Sequence, residues 1–153
     1  MRNKKGFTLI ELLVVIAIIG LLATIAVVAL NSARTSSRDA KRIADVRQVQ
    51  TGLELYFNSK TAYPFCAANE LQDLEACPND GSNGITTYIS GVGNIYDPSA
   101  GDGGTACLVG AATTCNYSYE STASSEYTIL FYLEGASGSL SAGLHTASSA
   151  GME

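Results

Sequence analysis

A single carboxylate, Glu11, stands inside a 24-residue apolar run from Phe7 to Leu30, FTLIELLVVIAIIGLLATIAVVAL. An ionised side chain deep in a bilayer costs about 2.5–3.5 kcal/mol even on the lenient insertion scale. Glu11 therefore calls for a counter-charge or a place at the headgroup level, and the chemistry it offers is ion pairing. Other reactive groups are sparse. His145 is the only histidine, which excludes histidine-cluster metal sites and His-Glu-x-x-His. Ser139-Leu140-Ser141-Ala142-Gly143 matches a nucleophile elbow only loosely, because its first position is not glycine. Asp97-Pro98-Ser99-Ala100-Gly101-Asp102 could turn oxygens toward calcium, but it lacks the alternating acidic spacing of an EF-hand loop. Asn116-Tyr117-Ser118 fits a glycosylation sequon. No residues compose a catalytic constellation, so neither an enzyme nor a cofactor is expected.

The four cysteines, Cys66, Cys77, Cys107 and Cys115, all lie outside the apolar run and suit an oxidising compartment. No Cys-x-x-Cys spacing for zinc occurs. Of three possible pairings, Cys66–Cys77 and Cys107–Cys115 close the shortest loops, each bridge contributing roughly 2–4 kcal/mol. Four buried thiols are the alternative.

These groups must be positioned by few elements, since 153 residues with 46% hydrophobic and 15% charged composition allow one modest domain. All nine Lys and Arg lie at or before Lys60, whereas ten acidic residues follow Thr61. The later part is anionic and will not attract nucleic acid by itself. Phe7–Leu30 would span about 36 Å as a helix, enough to cross a bilayer, and is apolar on every face. It is long for a secretory signal, and Asn31-Ser32-Ala33 is a faint cleavage site. From 31 to about 60 the helix becomes amphipathic: Ile43, Val46, Val49, Leu53 and Tyr56 or Phe57 recur at three- and four-residue spacing. Lys41 and Asp45 form an i,i+4 pair, and the approach to Pro64 ends the helix. The face of Arg34, Arg38, Arg42 and Arg47 reads as solvated or near anionic headgroups, as packing on a neighbour's acidic domain, or as a DNA contact.

Residues 61–114 are rich in turn-formers, with a possible short capped helix at Asn69–Leu74, and would be stapled by the disulfides. From 115 to 147 the period becomes two. Tyr117 and Tyr119 mark one strand, Tyr127, Ile129, Phe131 and Leu133 a second, and Leu140, Ala142 and Leu144 a third, with turns at 121–125 and 135–138. The tyrosines suit core and cross-strand packing better than a binding platform. The fold class is α+β: a long N-terminal helix against an antiparallel meander of three to four strands.

The segment Lys5-Gly6-Phe7-Thr8-Leu9-Ile10-Glu11, running into Leu12–Gly20, resembles the class III signal of type IV pilins and type II secretion pseudopilins. The resemblance covers roughly Met1 to Leu30. It implies a leader at 1–6, cleavage between Gly6 and Phe7 by a prepilin peptidase, N-methylation of Phe7, a filament-core helix at 7–30, and a globular domain at 61–153 reached through 31–60. It also implies that the Phe7 ammonium of one subunit neutralises Glu11 of its neighbour. At about 4 Å and an effective dielectric near 20 such a pair is worth roughly 4 kcal/mol before desolvation. Many members carry a proline near the position of Val28. This chain has none before Pro64, so any helix melting would depend on Gly20 and Thr24.

The expected partners are further copies of the chain, the peptidase, a cytoplasmic-membrane assembly platform, the bilayer before assembly, and minor pilins, with DNA weakly supported. The positive leader argues for a cytoplasmic N-terminus. The basic residues after the apolar run weaken that bias, and the cysteines and cleavage motif restore it, placing the C-terminus outside and the assembled filament on the cell surface. A secretion pseudopilin is the alternative, and an anchored domain that never polymerises a further rival.

Overall fold

The computed structural model describes residues 6–71, 74, 84–101 and 103–153. They divide into two compact units, Met1–Thr35 and Ser36–Glu153, joined through one helix, α1 (Leu9–Lys60). In the first unit α1 is built from Leu, Ile, Val and Ala without a polar face. Its side chains are exposed all round, from Leu9 at 79% to Val28 at 70%. An 18-residue window of this helix has mean hydropathy 3.1, long and apolar enough to cross a membrane. Glycine and threonine do not break it. Gly20 lies within α1, and the Thr24 hydroxyl donates back to the Leu21 carbonyl at 2.8 Å.

In the second unit α1 buries one stripe: Asp39, Arg42, Val46, Val49, Leu53 and Tyr56, alternating three and four residues apart, with Gly52 beside it. Ile43 and Phe57 pack at its margin, so the expected apolar positions all reach the core. The helix stops at Lys60. Thr61, at φ 59°, turns left-handed and donates its N–H to the Phe57 carbonyl at 2.7 Å, closing the last turn as a glycine commonly does.

The stripe lies on a five-stranded antiparallel sheet in strict sequence order: β1 (Cys66–Glu70), β2 (Ser118–Ala123), β3 (Glu126–Leu133), β4 (Gly143–Ser148) and β5 (Gly151–Met152). The α+β meander is therefore present, with a short strand added at each edge. Tyr127, Ile129, Phe131 and Leu133 alternate inward along β3 as their period required. Tyr56, Tyr63, Tyr117 and Tyr119 join them, and Tyr63 meets Tyr127 edge-on at 4.7 Å.

Three local expectations are corrected. Asn69 and Glu70 belong to β1, pairing with Tyr119 and Ser118, so of the expected capped helix only Leu71 and Leu74 are helical, as 3-10; Gln72 and Asp73 lie outside the described residues. The third strand begins at Gly143, and its inward residues are His145 and Ala147, one position out of phase with Leu144. Leu140 and Ser137 form an isolated bridge within the preceding turn, which resets the alternation. The β2–β3 turn narrows to Ser124-Ser125, since β2 continues through Ala123.

Candidate functional site: the helix start and an ionic anchor

Gly6, Phe7 and Thr8 are exposed and non-helical, and α1 opens at Leu9. Thr8 is thus the N-cap and Glu11 the third helical residue, the arrangement of a capping box. The Thr8 N–H donates to Glu11 Oε2 at 2.8 Å, and the Thr8 hydroxyl donates to the same oxygen at 2.7 Å. The Glu11 N–H in turn reaches the Thr8 hydroxyl oxygen at 3.2 Å. Glu11 is the only acid in the first turn, where the helix dipole also favours it. Thr8 is a capping residue that reasoning from hydropathy overlooked. The signal was present as Thr-x-x-Glu immediately before an apolar run. The site is a carboxylate fixed by its own helix start, surrounded by exposed apolar side chains, with Oε2 occupied by Thr8.

In the second unit the stripe continues past Val46 into a cluster of charges. Arg42 is fully buried and donates to Asp97 through Nε at 2.6 Å and Nη2 at 3.0 Å. Nη1 donates to Asp39 at 2.6 Å, and Nη2 also reaches Ser99 Oγ at 2.7 Å and Glu134 Oε1 at 2.8 Å. Arg38 holds Glu134 from the other side, its Nε donating to Oε1 at 2.8 Å and its Nη2 pairing with Oε2. Asp39 accepts the backbone N–H groups of Glu134 and Gly135 at 3.0 and 2.8 Å. Asp97 accepts those of Ser99 and Ala100 at 2.7 and 3.1 Å.

The hydrogen bonds from Arg38, helped by Arg42 and Ser99 and opposed by burial, hold Glu134 at a pKa of about 2. Burial works against the Arg42 charge, but the bonds to Asp97, Glu134 and Asp39 outweigh it and raise its pKa. Nearby, burial raises the Asp45 carboxyl, against Lys41 and a hydrogen bond from the Tyr117 hydroxyl at 3.2 Å. This cluster pins α1 to the loop at 97–100 and to the end of β3. A buried pair satisfied this fully specifies one docking of helix on sheet.

The remaining expected site residues fall as follows. The basic face is not a free stripe, because Arg42 is interior and Arg38 is bound to Glu134; only Arg34 and Arg47 of the four are exposed. The calcium reading of 97–102 is corrected, since Asp97 is occupied by Arg42 and by backbone N–H groups; Asp102 lies outside the described residues. Asn116 is buried, and its side-chain oxygen accepts the Asp97 and Tyr117 N–H groups, so the sequon is not a surface acceptor. His145 faces the Ser141 and Glu153 carbonyls, at 2.7 and 2.9 Å, and no serine hydroxyl. Cys107 and Cys115 are joined, Cα atoms 5.0 Å apart. The expected Cys66–Cys77 bridge lies outside the described residues, because Cys77 is not among them.

The family description "Prokaryotic N-terminal methylation motif" matches residues 1–27. Fimbrial protein Q of Moraxella bovis is 34% identical over 74% of this chain and 68% of its own length. The type IV wide pilus major component PilA4 of Thermus thermophilus is 35% identical over 68% of this chain and 78% of its own. The type II secretion system core protein G of Dickeya chrysanthemi is 33% identical over 41% of each chain. No solved structure matches. The capped apolar helix, the sheet domain behind it and these relatives together establish that the chain belongs to the family of type IV pilins and type II secretion pseudopilins, the subunits of filaments built from prepilin-peptidase-processed copies.

Proposed function

We propose that this chain is a pilus subunit, cut between Gly6 and Phe7, methylated on Phe7, and polymerised by pairing that new ammonium with Glu11 of an adjacent copy. The observation that carries it is Glu11: one acid in an uncovered apolar helix, held by Thr8 in a single geometry. Leader cleavage leaves Thr8 as the second residue, so the capping box survives processing. Apolar contact alone defines axial offset poorly, whereas a charge pair fixes it. The scissile peptide lies in the non-helical stretch before the cap, where a protease can bind extended chain. The leader at 1–6 stays in the cytoplasm and the domain at 61–153 lies outside, a topology supported by the Cys107–Cys115 disulfide. The wide span of the pilin matches, against the shorter protein G match, supports a pilus over a secretion pseudopilus.

The test is direct. Mature protein examined by mass spectrometry should begin at a methylated Phe7. Glu11→Val should enter the membrane and be processed normally while filament yield falls about tenfold or more, given a pair of several kcal/mol. Normal filaments from Glu11→Val would remove the charge pair from the mechanism.

A further inference from the structure

Within the Ser36–Glu153 unit a groove runs along the flank of α1 beside the β4–β5 turn. It consists of two adjoining depressions of about 600 and 390 Å³ that share Arg47, Gln50 and Gly151. Its surroundings leave one charge unanswered. Arg47 is exposed and enters no ion pair among the described residues, whereas Arg38 and Arg42 are held by Glu134 and Asp97, and Lys41 lies over the Tyr96 ring. At one end of the groove the Tyr127 side chain is buried, with its hydroxyl facing Gln50 and Glu54. Glu54, in the same depression, already accepts the Tyr63 hydroxyl at 2.9 Å.

The complementary feature is on the sheet. Glu120 and Glu126 flank the β2–β3 turn, are exposed, and share a shallow depression with Thr128. Neither is in an ion pair among the described residues. Both alternate away from the buried Tyr119 and Tyr127, hence away from the face on which α1 lies. Two like charges side by side on a sheet repel unless a cation lies between them. The groove lies beside Tyr127 on the α1 side of the sheet, whereas Glu120 and Glu126 alternate to the opposite face, and within one copy neither pairs with Arg47. An interface between two different patches is heterologous, and repetition of it propagates an open helical array, whereas a self-complementary patch would close a dimer.

We infer that the Arg47 groove of one copy receives the Glu120–Glu126 hairpin of a second copy, a contact between globular domains that sets their rotation in the filament. This rests on the filament reading and adds a second determinant to the Phe7–Glu11 pair. Interface charges of this kind select register and partner more than raw affinity.

The test uses the full chain in producing cells. Arg47→Glu, or Glu120→Arg with Glu126→Arg, should each lower filament yield about tenfold, and the three changes combined should restore most of it, because the pair is re-formed with signs exchanged. Arg47→Cys with Glu126→Cys should give a ladder of disulfide-linked copies that neither single variant gives. Since all three side chains are exposed, thermal melting of each variant should stay near that of the parent. Normal yield from the single-sided reversals, or a triple variant as poor as its parents, would overturn the inference. So would absence of the ladder, or a ladder formed by either single variant, which would place another surface in the contact. Those failures leave wild-type filaments intact. Failure of the filament reading appears separately, as wild-type chain without filaments or Glu11→Val chain with them.

Discussion

Arg42 decides how tightly the helix is held to the domain, and its energetics are asymmetric. Replacing a buried, fully paired ion cluster by apolar side chains can be neutral, but removing one member strands the others. Arg42→Met leaves Asp39 and Asp97 buried with only backbone N–H donors. It should lower unfolding stability by about 3–5 kcal/mol, read as a shift in the urea midpoint with the disulfide intact. Glu134 adds a pH dependence with a definite sign. Its pKa falls from 4.5 to about 2 on folding. Its contribution is therefore complete above pH 4.5 and lost as the pH falls through about 2. Glu134→Gln should flatten that acid limb while lowering stability at neutral pH. The same residues explain what the sequence conveyed at this scale. Glu11 announced itself as the one acid in a greasy run. Arg42 did not, because a basic residue on a helix is usually solvated and, Asp39 apart, its acidic partners come 55 and 92 positions later. Even so, stepping back by four and three from Val46 along the buried stripe lands on Arg42 and then Asp39.

At the scale of the element, α1 and β3 were legible because their periods are unambiguous and their burial is one-sided. β1 was not, since Cys66–Glu70 is short, irregularly registered against β2 and without alternation of its own. β4 was read out of phase because Leu140, within the turn, supplied an apolar residue at the wrong parity. Gly52 is the element-level constraint least visible beforehand. A Cβ there would lie 2.1 Å from Ile89 Cγ1 and 3.3 Å from the Tyr88 carbonyl oxygen, and Ile89 is itself buried. Helix propensity favours Gly52→Ala by about 1 kcal/mol, while overpacking costs about 1–3 kcal/mol. Packing should win, lowering the melting temperature, and Ile89→Ala added to Gly52→Ala should cost less than the two changes separately. Thr61 gives the opposite case. A β-branched residue held left-handed costs about 1–2 kcal/mol. Thr61→Gly should therefore stabilise the domain modestly, measured by the same melt.

At the scale of the whole molecule the two units answer to different surroundings. The first exposes apolar side chains on every face and needs lipid or other helices around it. The second owns a closed core of tyrosines and aliphatic residues, an ionic cluster and the Cys107–Cys115 bridge. A fragment beginning at Ser36 should fold alone and sediment as a monomer, whereas the full chain should require detergent. Burial and neighbouring charges raise the Tyr63, Tyr117 and Tyr119 hydroxyls well above their ordinary 10, and Tyr127 to about 12. For groups raised on folding, stability is full below pH 10 and is lost as the pH climbs through the shifted values. Alkaline titration of the fragment should thus show tyrosinate absorbance appearing together with loss of circular dichroism.

The long reach from Arg42 to Glu134 also governs timing. The helix emerges early in synthesis, with Asp39 already beside its guanidinium, but Asp97 follows 55 residues after Arg42 and Glu134 92 residues after it. A product shortened anywhere before Glu134 stays tethered and unclosed, open to degradation. Synthesis past Glu134 thereby becomes a condition for joining the pool of usable copies, without any dedicated inspector.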